Sequence, residues 1–253
     1  MLRFFRKVRL QLLPEHKSTK YLKYAVGEIL LVVLGILIAL QINNWNESRQ
    51  QLSEERKILS RMVLELDLNI QRMQLLDSAH PGGWPIKKTV TFFDSLAIVI
   101  ANGVDTTEID FICSGPVFRF NIFNLHSDIF EEMKFGGYLY NLQSEMLAGK
   151  IQSYYRLIES ETDYNDRTRE QRDRVLDSIL YGFRRLKADY DRLGFSGLSY
   201  HAWIFDNRSE EYYNFEQYVE TSSALIKRSR SRMLNIIEAS EQLKQSILDS
   251  TPN

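Results

Sequence analysis

One cysteine in 253 residues, Cys113, leaves no intramolecular disulfide and no multi-cysteine metal site to build with. Packing alone has to hold the chain together. Cys113 follows Phe111-Ile112, and in that apolar setting it reads as a small buried hydrophobe rather than a reactive thiol. Histidine is nearly as scarce. His16, His80, His126 and His201 stand too far apart for helical metal-ligand spacing, so neither a metal nor another cofactor is expected. The sequence has no phosphate-cradling Gly-rich loop, and Cys113-Ser-Gly lacks the strand-to-helix pattern of a nucleophile elbow. Acidic pairs such as Glu131-Glu132 and Glu210-Glu211 fit solvated helix faces better than acid–base dyads. With no catalytic constellation in sight, the chain is not expected to be an enzyme.

Long apolar runs are few as well. The single one, Ile29 to Leu40, lies inside GEILLVVLGILIALQINNW from Gly27 to Trp45. A bilayer core of about 30 Å needs roughly 20 helical residues, so the flanks must complete a span. Tyr21, Tyr24 and Trp45 are placed as interfacial anchors, and Tyr24 to Trp45 is the predicted transmembrane helix. Seven basic residues (Arg3, Arg6, Lys7, Arg9, Lys17, Lys20, Lys23) precede it against one acid, Glu15, whereas the twenty residues after Trp45 hold four of each sign. The positive-inside rule then makes residues 1–23 a cytoplasmic segment, 24–45 the span and 46–253 an exported domain, at a bacterial inner membrane. A cleaved signal peptide would need a small-residue site after Leu40, where Gln41-Ile42-Asn43-Asn44 stands instead, so an uncleaved single-pass anchor is expected.

Glu28 is the polar exception in the run. About one turn inside Tyr24, it can snorkel to the headgroups among Lys20 and Lys23. The sharper alternative is a contact with a partner span, with Gly27 and Gly35 letting helices approach.

Beyond the span, aromatic residues at 12% and hydrophobic residues at 44% give enough material for an ordered core. Setting aside the seven basic residues before the span and the acids Glu15 and Glu28 from totals of 32 and 33 leaves 25 basic and 31 acidic residues from Asn46 on, net −6. That balance speaks against a nucleic-acid ligand.

The exported part divides into a stalk helix, 46–79, and a body, 80–253. In the stalk, Leu59, Val63, Leu66, Ile70 and Met73 repeat at helical spacing, a seam expected to pack within its own domain rather than pair between two chains. His80-Pro-Gly-Gly-Trp-Pro85 breaks this helix and predicts a reversal, with a second helix from Pro85 to about Ala101 stopped by Asn102-Gly103, hence a helical hairpin. Residues 104–125 are irregular, a short strand or an extended loop. Ser127 or Asp128 starts a helix running to Lys134 that Gly136-Gly137 ends. No proline occurs between Pro116 and Pro252, so long helices are predicted over about 144–193 and 214–249, although the almost wholly polar stretch from Glu159 to Arg174 either projects or contains a loop. The fold class is all-α: one N-terminal transmembrane helix continuing into an irregular, mostly antiparallel helical bundle.

Two segments resemble a known family. GEILLVVLGILIALQINNWNESR, with FFRKVRLQLL and KYLKYAVGE before it, is similar to the opening signature of a family of uncharacterised bacterial membrane proteins, a domain of unknown function; FEEMKFGGYLYNLQSEMLAGKIQSYYRLIE is similar to a later pattern of that family. The resemblance implies a single-span, cytoplasm-in anchor with an exported helical domain. It implies no activity and no catalytic residues.

For binding, Tyr154-Tyr155 and Tyr212-Tyr213 are the aromatic pairs that stand out, and neighbours on a helix diverge by about 100°. Core packing is the plain reading; the sharper one has Tyr154 and Tyr155, with Trp203, lining a ligand or partner cleft. Expected partners are the bilayer and either another protein or a second copy, through the membrane and stalk helices. The function expected is a membrane-anchored interaction or scaffold module. An extracytoplasmic ligand-binding sensor acting through a separate membrane partner is the alternative, since two dozen residues before the span are too few for an output domain.

Overall fold

A computed structural model describes residues 18–79, 83–117, 123 and 125–250. The chain divides into two compact units, Met1–Arg56 and Lys57–Asn253, and the boundary falls inside the first described helix, α1 (Ser18–Ser78). In unit 1, the side chains from Ile29 to Leu40 are all exposed, and α1 is long and apolar enough there to cross a membrane by length and composition. Past the apolar run the surface turns polar, with Asn43 donating to Glu47 at 2.7 Å and the Arg49 guanidinium 5.0 Å from the centre of the Trp45 ring.

Unit 2 is all-helical among the described residues. Its elements are the rest of α1, α2 (Ile86–Asn102), α3 (Ile109–Ser114), α4 (Asp128–Phe135), α5 (Glu145–Leu193) and α6 (Glu210–Ser250), with 3-10 turns at Tyr138–Tyr140, Gly194–Tyr200 and Ala202–Phe205. Local chemistry explains the ends. Ser144 accepts the Leu147 N–H at 3.2 Å and caps α5, while Gly103 (φ 85°) and Gly137 (φ 73°) take the left-handed conformation that lets the chain leave α2 and α4.

Helices α5 and α6 run antiparallel, fixed by Lys150–Ser246 at 3.0 Å, Tyr154–Ser240 at 2.9 Å and Glu161–Arg232 at 2.5 Å. Glu161 is buried and holds the polar stretch to α6, so α5 is one helix from Glu145 to Leu193 with no loop between Glu159 and Arg174. The predicted seam of α1 faces this pair. Leu59, Leu66, Ile70 and Met73 are buried with Val63 half-buried, beside Ile58, Met62 and Leu76.

The hairpin predicted at 80–85 is not formed. Asp67–Lys244 and Asp77–Arg230 set α1 antiparallel to α6, and Asp94–Ser223 with Tyr212 donating to the Ile100 carbonyl sets α2 antiparallel to α6 too. Helices α1 and α2 therefore follow the same sense, one after the other along α6. Length explains this: α6, 41 residues, is about 62 Å long, while Lys57–Ser78 covers only about 33 Å of it. The uncovered apolar half of α6 (Phe215, Tyr218, Val219) takes Phe93 and Leu96 of α2, and a helix breaker dictates an interruption without dictating the exit direction.

The stretch 104–125 also differs from expectation. It contains the short helix α3, whose Ile109, Ile112 and Cys113 are buried at i, i+3, i+4 spacing; residues 118–122 and 124 lie outside the described ones.

Candidate functional site

Among the described residues of unit 2, a group of buried polar side chains forms where α1, α4, α5 and α6 meet. Glu65 and Asn69, one turn apart on α1, are both buried. Oε2 of Glu65 accepts the Ile129 N–H at 2.8 Å in the first turn of α4, and its Oε1 accepts the Tyr155 hydroxyl. Asn69 clamps the loop before α4: its Oδ1 accepts the His126 N–H at 2.7 Å and its Nδ2 donates to the His126 carbonyl at 3.0 Å. The same Nδ2 lies 3.4 Å from the Tyr154 hydroxyl, which shares a hydrogen bond of 2.9 Å with Ser240 of α6.

Both tyrosines are thus in the core, in a T-shaped pair with ring centres 4.9 Å apart, and Tyr155 also stacks on Phe130 at 4.1 Å. Their 100° divergence does not free either one, because α1 and α4 cover one face of α5 and α6 the next. At Tyr212-Tyr213 the divergence is seen: Tyr212 is buried and Tyr213 exposed. Burial pushes the Tyr155 hydroxyl well above its ordinary range, and its bond to Glu65 pushes further the same way; burial raises Tyr154 too, against the hydrogen bonds from Ser240 and Asn69. Phenols held this way keep their protons and donate. The node joins helices; it presents no free base or nucleophile.

An open groove of about 630 Å³ runs along α5 and α6 beside it, lined by Lys150, Ser153, Tyr154, Leu157, Leu243 and Ser246 among others. Trp203 is not part of it. Half-buried, with its ring 5.8 Å from Phe215, it packs near the other end of α6, where Phe215 stands 25 residues, about 37 Å of helix, from Ser240. There, Trp203 Nε1 lies 3.4 Å from His201 Nδ1, and His201 Nε2 lies 2.9 Å from Asp189 Oδ2. The His201 hydrogen bond holds the Asp189 carboxyl below its usual range, helped by Arg192. The structure keeps this cluster apart from Tyr154 and Tyr155, so the three aromatics do not line one cleft.

Glu28 is exposed on α1 in unit 1, and a Cβ added at Gly27 or Gly35 would meet nothing. Cys113 is buried, and burial pushes its thiol up to about 11 against the opposing charge of Lys187. Glu131 and Glu132 pair with Lys134 and Arg61 at the surface. Among the described residues no group of three or more His, Cys, Asp or Glu side chains converges as metal ligands; His16 and His80 lie outside them.

Sequence reasoning passed over Glu65, Asn69 and Asp189, and weighed His201 only as a metal ligand. The signal for the first two was present: polar residues at i and i+4, on the same side of the stalk as Leu66 and Met73, are out of place unless another element meets them.

A family model described as "Family of unknown function (DUF6090)" matches residues 28–79, that is, the apolar run and the remainder of α1. No curated protein and no solved structure matches the chain. The match supports an uncharacterised domain that includes a candidate membrane helix.

Proposed function

We propose that this protein is a membrane-anchored helical interaction or scaffold module with no catalytic activity of its own. A single span over Tyr24–Trp45 holds it in a bacterial inner membrane, N-terminus in the cytoplasm and unit 2 outside. The charge asymmetry before and after the apolar run supports the orientation.

The observation that carries the reading is how unit 2 uses its buried polar groups. Both oxygens of Glu65, both ends of the Asn69 amide and the hydroxyls of Tyr154 and Tyr155 are spent on fixing helices, and the loop before α4, to one another. Catalysis needs an acid, base or nucleophile within reach of a substrate. The surface, by contrast, offers what a protein partner needs: Leu64, Leu68 and Leu75 form an exposed apolar stripe on the side of α1 away from its buried seam.

The test places a photoreactive residue at Leu68 in the full chain in cells, followed by purification in mild detergent and mass spectrometry. A discrete adduct, lost in Leu64→Glu, supports the module. No adduct from Leu68 or any other exposed position of unit 2 would overturn it.

The groove beside Tyr154 favours a second reading, a sensor that binds a small ligand and signals through a separate membrane protein, since its volume falls within the range of small-molecule sites. Saturable ligand binding abolished by Lys150→Glu would favour that reading over the first.

A further inference from the structure

One end of unit 2 gathers exposed aromatic and thioether side chains. Three registers define that end. Glu65–Ile129 and Arg61–Glu132 run α4 down α1 toward Lys57, so Phe135 at the close of α4 lies about level with residues 57–61. Tyr140 follows within five residues, after the Gly136-Gly137 turn. Lys150–Ser246 and Lys244–Asp67 bring Met146, in the first turn of α5, to the same end. Phe135, Tyr140 and Met146 are 83%, 79% and 72% exposed, while Met133 just before them and Leu139 and Leu142 between them are buried and fix the base from which they project.

We propose that Phe135, Tyr140 and Met146 seat unit 2 on a lipid surface, entering the interfacial layer of the bilayer that holds the span. The proposal rests on the reading of Tyr24–Trp45 as that span. Eleven residues, 46–56, separate Trp45 from Lys57, and the twelve steps span about 18 Å as helix and no more than about 42 Å fully extended. The tether alone therefore keeps this end within a few nanometres of the headgroups, at a high effective concentration for even a weak contact. The side chains suit that ligand: aromatic rings are favoured at the membrane–water boundary, and a lysine beside them can reach up to phosphates. Lys134 lies 5.8 Å from the centre of the Phe135 ring. Of the neighbouring acids, Glu132 is paired with Arg61, which lessens its repulsion from the lipid phosphates.

The experiment uses the full chain in nanodiscs. Single variants Phe135→Cys, Tyr140→Cys and Met146→Cys carry an environment-sensitive fluorophore; Tyr200→Cys, on a side chain 75% exposed near the His201 end, and Ile36→Cys, inside the apolar run, serve as references. The parent chain controls for Cys113, whose buried thiol resists labelling. With lipid bearing a quencher near the headgroup, the three rim positions are expected to lose emission and shift to the blue while Tyr200→Cys does not. Rim positions no more quenched than Tyr200→Cys, with Ile36→Cys quenched by a quencher deep in the acyl layer, overturn the docking and leave the anchor standing. An unquenched Ile36→Cys overturns the anchor and the docking with it. Rim labels shielded from a soluble quencher yet blind to the lipid one show that a second copy or another protein covers the rim, which also overturns the proposal.

Discussion

Glu65 of α1 closes the N-terminus of α4 from across the unit: its Oε2 accepts the Ile129 N–H at 2.8 Å, 64 residues away in sequence. The first N–H groups of a helix have no partner within it, and a carboxylate there also meets the positive end of the helix dipole. Because Oε1 serves the Tyr155 hydroxyl at the same time, one side chain joins three helices.

Glu65→Ala is expected to destabilise unit 2 by about 2–4 kcal/mol, since it strands a buried hydroxyl and a helix-end N–H together. Glu65→Gln, which keeps an acceptor oxygen, should cost about half as much or less. Chemical unfolding of the full chain in detergent, followed by circular dichroism, measures both; equal losses for the two variants would show that the node is not held by these hydrogen bonds.

Two glycines should fail for different reasons. At Gly115 the backbone (φ −70°) suits any residue, but an added Cβ would lie 1.8 Å from Cζ of Phe92, so Gly115→Ala is expected to cost about 1–3 kcal/mol through overpacking. At Gly103 nothing lies within 4 Å, but φ is 85°, so Gly103→Ala should cost about 1 kcal/mol through backbone strain. Adding Phe92→Leu should recover part of the first loss and none of the second. Unfolding midpoints of the four variants decide this.

The Cys113 thiol should react slowly with iodoacetamide at pH 8 in the folded chain and quickly in urea. Its pKa is raised from 9.0 to about 11 on folding, mainly by burial. A raised value means the folded state holds the proton more tightly. The associated stability is therefore complete below pH 9 and is lost as the pH climbs toward about 11. Labelling rates across that window check the shift.

Replacing Glu28 by Leu is expected to leave membrane insertion and the oligomeric state in mild detergent unchanged, because an exposed carboxylate near the start of the apolar run can reach the headgroups by itself. A change in the oligomer on native gels would reveal a partner span instead.

Features carried by local sequence were legible. The apolar run, the start of a long helix near Ser144, the Gly103 stop and the inward seam of α1 all follow from patterns within a few residues, and all stand in the structure. The direction taken after Pro85 was not legible, because it depends on how much of α6 remained uncovered, a property of a helix more than a hundred residues further on. The α3 helix was missed because six residues between a turn and a Gly-Pro pair carry too little periodicity to read. The candidate site was the least legible part. Tyr154 and Tyr155 could be noticed, but their partners Glu65, Asn69 and Ser240 lie on two other helices, and only folding brings the five together.

The pairing of α6 with α1 has a consequence for biogenesis. Asp67 meets Lys244 and Asp77 meets Arg230 across 177 and 153 residues, so the first helix of unit 2, partly covered by α4 and α5, gains its remaining cover only when the last has been made. At a synthesis rate of about 5–20 residues per second, the part of α1 that α6 covers stays open for roughly ten to thirty seconds while the rest of the chain follows. A chain delivered segment by segment across a membrane would then depend on a holding factor, and truncation within α6 should lead to degradation rather than to a shortened fold.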